Sequence, residues 1–248
     1  MKSNRKNLTL YLQLFSLFLF LMSCIILKVS PTRLIGAAFC HQIPSRSPKY
    51  DFPFCYRCCG LFFGILFGYV VALFAKKNKH LFPKTEIILF FLSLSLFCTD
   101  ILNSSKIPNI HLYNESIEFR MISSFPLGYF LSIIICNLLA FWNIMPISIN
   151  REKVYEIPCF FICGSISFYL TFNNNYFLSH FSRIIICLGS LIFLSSLYVL
   201  LIFSINSIMN KTVHVNFTIQ AGFSLAILQV TFFGFLHLRF LHFEQIFS

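Results

Sequence analysis

Residues 58–75 read CCGLFFGILFGYVVALFA, an uncharged apolar run closed abruptly by Lys76-Lys77-Asn78-Lys79-His80. A helix rises 1.5 Å per residue, so a run of this length reaches across the hydrocarbon of a bilayer about 30 Å thick. Gly60, Gly64 and Gly68 recur at four-residue spacing, which places them on one helix face and lets a second helix approach closely. Six further runs have the same apolar character: Leu8–Leu27, Glu86–Leu102, Ser123–Ile147, Pro158–Phe172, Ile184–Ile205 and Phe217–Leu236. The one beginning at Pro158 is short and ends in Asn173-Asn174-Asn175, so the expectation is seven spans, with six as the alternative.

Composition agrees with this pattern. The chain has 248 residues, 57% hydrophobic and 11% charged, including 34 Phe and 9 Gly, with a mean hydropathy of +0.78. Soluble domains average about 45–50% apolar and about 25% charged residues, and a soluble globule of this length could not bury so much apolar surface. Disordered chains are polar and poor in aromatics, and outer-membrane barrels show short alternating segments instead. The expected fold class is therefore all-α, a polytopic transmembrane helix bundle forming one integral membrane domain over residues 1–248. No 20–50-residue repeat is evident, and no soluble domain fits between the spans.

The net charge of +11 does not indicate nucleic-acid binding, because Lys and Arg lie in short loops between apolar runs rather than on a folded aqueous patch. They read as topogenic charges that also meet anionic lipid head groups, which makes the lipid bilayer the expected partner. With Lys2, Arg5 and Lys6 cytoplasmic, the seven-span arrangement puts ten Lys and Arg residues inside and nine outside. Five of those nine fall in residues 28–57, read as one outer loop: Lys28, Arg33, Arg46, Lys49 and Arg57. Without that loop the bias is ten to four, as the positive-inside rule expects. Either those basic residues serve a site or the topology is inverted. The expected location is the cytoplasmic membrane with a cytoplasmic N-terminus. Leu21-Met22-Ser23-Cys24 loosely resembles a lipoprotein cleavage box, but its Met is unusual, and the first span is read as an uncleaved anchor.

Ten cysteines occur. Six are scattered through spans (Cys24, Cys98, Cys136, Cys159, Cys163 and Cys187) and read as small apolar filler. The other four, Cys40, Cys55, Cys58 and Cys59, are clustered around the outer loop. Cys55-x-x-Cys58 brings two sulfurs to one side of a turn, an arrangement that suits a metal or a disulfide. Cys40 and His41, across a connector of 13 residues, complete a candidate Cys3His set for zinc or another soft or borderline metal ion. Adjacent side chains diverge in regular backbone, so Cys40 and His41 can share one ion only in an irregular turn. The pair Cys55/Cys58 also meets a helix start, where unpaired N–H groups and the dipole favour thiolates, and Arg57 adds positive charge. Three readings follow: a metal site, a redox-active dithiol and a structural disulfide that staples the loop.

The residues Cys40-His41-Gln42, then Arg46-Ser47, then Cys55-x-Arg57-Cys58-x-Gly60, with Gly64 and Gly68 beyond, resemble the domain-of-unknown-function 2085 family of small multi-pass membrane proteins from bacteria and archaea. A second part of the resemblance is Asp100, Arg120 and Gly128. The family tends to carry Gly where this chain has Ser124, and Thr where it has Cys59. The resemblance spans roughly residues 33–130. It implies a metal or thiol site without naming a reaction, so neither an enzyme activity nor a protein partner is assigned.

Gln42, Arg46, Arg57, Asp100 and Arg120 are the candidates to support such a site or to bind its ligand. A carboxylate in a span is costly unless paired or near water, so Asp100 is expected either at the interface, paired with Arg120, or supporting the cluster. His41, His111, His180, His237 and His242 fall on the outer side and His80 and His214 on the inner, and His with Cys suits zinc or copper. No Ser-His-Asp spacing, phosphate loop or HExxH motif occurs, which leaves hydrolase and ATPase readings with little support.

Overall fold

The computed structural model describes residues 2–40, 54–74, 84–104, 116–142, 156–173, 176–209 and 214–247. The described residues form eight α-helices and no strands: α1 (Lys2–Leu27), α2 (Pro31–Phe39), α3 (Tyr56–Phe74), α4 (Lys84–Ser104), α5 (Ile117–Phe141), α6 (Glu156–Phe172), α7 (Tyr176–Ile208) and α8 (Val215–Phe247). The all-α membrane class is borne out. Five of these helices are long and apolar enough to cross a membrane, and Ile87–Asn103 and Pro158–Phe172 are shorter apolar helices. These seven correspond to the seven expected runs. The eighth, α2, lies within residues 28–57, where the sequence reading placed only a loop.

The chain divides into two compact units, residues 1–54 with 190–248, and residues 55–189. In the first, α1 and α2 both pack on α8. The turn between α1 and α2 explains why a helix appears so soon. Lys28 takes a left-handed conformation, φ 52°, its N–H bonds the Ile25 carbonyl at 3.2 Å, and the Val29 N–H bonds the Cys24 carbonyl at 3.1 Å. This is the Schellman pattern that satisfies the last carbonyls of a helix. Ser30 then caps α2, its hydroxyl accepting from the Arg33 N–H at 3.3 Å, with Pro31 at the first helical position, where its missing N–H has no consequence. Leu34, Ile35, Gly36 and Ala37 are buried. The Leu34 side chain comes so close to Gly234 of α8 that a Cβ there would lie 3.0 Å from its Cδ1. Farther along, the Tyr198 hydroxyl is hydrogen-bonded to the Gln229 amide oxygen, pairing two polar side chains of α7 and α8.

The second unit is organised around α3 and α5. A Cβ on Gly60 would strike the Met121 carbonyl and Ser124 Oγ, one on Gly64 the Phe125 carbonyl and the Tyr129 nitrogen, and one on Gly68 the Tyr129 carbonyl and Ser132 Oγ. Contact positions rise together on both helices, so α3 and α5 run parallel, with α4 returning the chain between them. Gly128 of α5 reciprocates, fitting between the Leu61 carbonyl and the Ile65 nitrogen. The glycine face of α3 is thus a backbone-to-backbone contact, the close approach that small residues permit in membranes. Ser124 keeps its hydroxyl satisfied by donating to the carbonyls of Arg120 at 2.8 Å and Met121 at 3.1 Å. Helix α5 starts at Ile117, ahead of the expected Ser123, because Ser116 caps it and accepts from the Phe119 N–H at 3.0 Å. Helix α6 runs against α3, with Tyr56 stacked on Phe172 at 5.4 Å, and against α5, with Phe160 packed on Phe125, Tyr129 and Phe130. In the first part of α7, Gly189 abuts the Phe62 carbonyl.

Helix α4 shows how the membrane inverts the usual amphipathic pattern. Its buried side chains are Ser93, Asp100 and Asn103, while Ile88, Phe91, Leu92, Leu96, Ile101 and Leu102 are exposed. The polar stripe faces protein because lipid cannot satisfy it. Ser93 returns its hydroxyl to the Leu89 carbonyl at 2.7 Å.

Candidate metal centre

Two of the clustered cysteines occupy special positions on α3. Cys55 precedes the first helical residue and its carbonyl already accepts from the Cys59 N–H at 2.9 Å, which makes it the N-cap. Cys58 is then the third residue of the helix. These are the two positions that bond each other's backbone N–H in a capping box, and here their side chains lie close, with Cys55 Sγ 3.5 Å from Cys58 Sγ. A disulfide has sulfurs about 2.05 Å apart, so this is a dithiol. The edge of a tetrahedral zinc–thiolate site, with Zn–S near 2.3 Å, is about 3.8 Å, and the observed separation is close to it. The first N–H groups of the helix lack intrahelical acceptors and favour negative charge nearby, which suits a pair of thiolates. Both cysteines are half-buried, whereas Cys59, the next residue, is 1% exposed and packs inward.

Cys40 is placed by α2. It caps that helix in extended conformation, φ −120°, ψ 108°, with its N–H bonded to the Gly36 carbonyl at 2.8 Å. Cys40 belongs to the first compact unit, and Cys55 and Cys58 belong to the second. His41, Gln42 and Arg46 lie outside the described residues, as do His80 and His111. His180 and His214 are exposed and His237 is half-buried.

The supporting residues are placed more sharply than the sequence allowed. Asp100 is 1% exposed, so it does not sit at an open interface. Its carboxylate accepts from Arg57 Nε, and its main-chain carbonyl accepts from Arg57 Nη2 at 2.9 Å. An ion partner of Asp100 is therefore the arginine inside the Cys-x-Arg-Cys motif, 43 residues away in the chain. Arg120, the partner considered from sequence, is half-buried in the first turn of α5, and its carbonyl accepts from Ser123 and Ser124. Sequence reasoning passed over Asn103, fully buried one turn beyond Asp100, and the Tyr56–Phe172 stack beside Cys55. The signal for Asn103 was available: Ser93, Asp100 and Asn103 are spaced seven and three residues apart, on one face of an otherwise apolar helix.

Residues 40–134 match the family described as predicted membrane protein (DUF2085), the family whose motifs the sequence resembles. The matched segment contains both thiol-bearing stretches, the Arg57–Asp100 pair and the contacts of Gly60, Gly64 and Gly68 with α5. No curated protein and no solved structure matches the chain.

Proposed function

We propose that this DUF2085 segment holds a soft or borderline metal ion, with zinc the leading candidate, through Cys40, Cys55 and Cys58, and that His41 supplies the fourth ligand. The role we assign to the site is the handling, sensing or local transport of that ion at the outer membrane face. The observation that carries this reading is the dithiol formed by Cys55 and Cys58 at the start of α3. The 3.5 Å spacing of the Cys55 and Cys58 sulfurs supports it, being near a tetrahedral edge. Metal analysis of detergent-purified protein, with a thiol count, tests it. Stoichiometric metal is expected, and Cys40→Ser, Cys55→Ser or Cys58→Ser should each remove most of it, since the ion is held poorly once a thiolate is lost. Cys59→Ser should be mild. Uptake should strengthen as pH rises, because the ligands are thiolates and binding releases their protons.

The same dithiol supports a second reading, a membrane thiol–disulfide oxidoreductase in which Cys55 and Cys58 cycle between dithiol and disulfide. Metal-free wild type in which only these two cysteines change redox state would replace the first reading with this one. The orientation belongs to the proposal as well. Reporter fusions after Ala75 and after Ser47 should give opposite signals, cytoplasmic for the first and external for the second. A cytoplasmic signal at Ser47 would put the site on the inner face.

A further inference from the structure

We infer that the Arg57–Asp100 ion pair is the positioning element that fixes the separation of the Cys55 and Cys58 thiols. The inference rests on reading those thiols as a ligand site. Both sulfurs belong to the N-terminal turn of α3, and Arg57 lies between them in the chain. The first N–H groups of a helix have no intrahelical partners, so the helix alone holds this turn weakly. What Arg57 adds is a fork. One guanidinium reaches both the carboxylate and the main-chain carbonyl of Asp100, and two contacts from a planar group fix its orientation as a single contact would not.

The far end of the fork is itself buried in packed helices. Asp100 is buried with Asn103 and Ser93 on the protein-facing stripe of α4, and α4 packs on α5. Helix α3 is pressed to the same α5 through Gly60, Gly64 and Gly68. The pair closes the triangle of α3, α4 and α5 at the level of the thiols. The side chains of Arg57 and Asp100 are only 12% and 2% exposed, so water does not screen them as it does a surface pair. The Tyr56–Phe172 stack is a second tie on the same turn, but it restrains a ring that can slide and carries no directional bond.

The test uses full-length protein in detergent with two readouts. The first is titration with Co(II), whose sulfur-to-metal absorption reports thiolate geometry. The second is bridging of the dithiol by a monosubstituted trivalent arsenical oxide. It forms two As–S bonds to Cys55 and Cys58 and releases one water, with no change of oxidation state. Cys55→Ser sets the background from other cysteines. Asp100→Asn keeps the shape and the main-chain contact while removing the charge. It should weaken Co(II) binding about 10–100-fold, the usual range when an outer-shell partner is lost. Its absorption bands should shift and its arsenical bridging should slow at least about tenfold, measured where the variant still elutes as folded protein. Tyr56→Phe, which keeps the stack, should leave both readouts unchanged.

Wild-type spectrum and bridging in folded Asp100→Asn would overturn the inference. A wild type that takes no Co(II), combined with impaired bridging in Asp100→Asn, would remove the metal reading and leave the positioning role standing. If Asp100→Asn does not fold, Arg57→Lys decides, since it preserves the charge pair and loses only the fork. Lys should give the same direction of change, and unaltered bridging there would refute the role of the fork.

Discussion

Helices α1 and α3 each carry an apolar stretch long enough to cross a bilayer, and Leu10–Leu27 of α1 is the more apolar of the two. Yet only 11% of that α1 window is buried inside the protein, against 50% of Tyr56–Leu73 in α3. The difference follows from side-chain size. The α1 window contains no glycine, and its buried side chains are Ser16, Ser23 and Cys24, while Leu14, Phe15, Phe18, Leu21 and Ile25 are exposed. Helix α3 presents three glycines in a row, and each receives backbone atoms of α5. In lipid, a large apolar side chain gains little by turning toward another helix, because the acyl chains are as apolar as it is. Small residues gain backbone proximity, and polar residues gain partners. Apolarity therefore decides that a helix crosses the membrane, and the small and polar residues decide which face meets protein.

The largest expected effect breaks this comparison on the α3 side. Gly64→Leu places a branched side chain where even a Cβ would lie 2.8 Å from the Tyr129 nitrogen and collide with the Phe125 carbonyl. Both obstacles are backbone, so the helices must separate. We expect a loss at or above the upper end of ordinary overpacking, about 3 kcal/mol or more, seen as a collapse of folded yield and melting temperature in detergent. Gly64→Ala should be milder, about 1–3 kcal/mol. Unchanged yield and melting for Gly64→Leu would mean that this face of α3 meets lipid.

The same logic explains what the sequence disclosed. The spans were legible because apolar runs of bilayer length have few alternative readings, and the packed face of α3 because Gly60, Gly64 and Gly68 share one helical phase. Cys55 and Cys58 were legible as a pair because a Cys-x-x-Cys spacing at a helix start is local chemistry. Helix α2 escaped because nine residues cannot span a membrane, although Ser30-Pro31 spelled an N-cap and a first helical position. The start of α5 was misplaced because Glu118 and Arg120 read as loop, when Ser116 was already the cap. Asp100 could be flagged by its cost in a span, but its partner depends on how α3 and α4 approach through α5, and no local pattern encodes a pairing across 43 residues.

A middle-sized effect sharpens the comparison on the α1 side. Ser16 is fully buried, with its hydroxyl returned to the Gln13 carbonyl at 2.9 Å, and α1 packs on α8. Ser16→Leu should cost about 1–3 kcal/mol through overpacking, measured by thermal unfolding in detergent. Ser16→Ala, which keeps the volume small, should cost less than about 1 kcal/mol, since interhelical and local hydroxyl bonds in membranes are worth about 0.6 kcal/mol on average. Equal tolerance of Leu and Ala would mean that size does not select the packed face of α1.

The smallest effect is expected on the exposed face of the same helix. Phe18 is 58% exposed and Leu14 is 56% exposed, so in the membrane each side chain trades protein neighbours for acyl chains. Truncating either to Ala removes contacts that lipid refills, unlike a soluble core, where the same change leaves a cavity and costs about 2–5 kcal/mol. Insertion should survive as well: one Leu or Phe contributes only about 0.3–0.6 kcal/mol to the transfer of a span, and α1 retains many others. Leu14→Ala and Phe18→Ala should therefore stay within about 0.5 kcal/mol of wild type by thermal unfolding in detergent. A loss comparable to that of Gly64→Ala would show that this face is covered by protein, either another copy of the chain or a separate membrane partner. Crosslinking from cysteines placed at positions 14 and 18 would then separate those two cases.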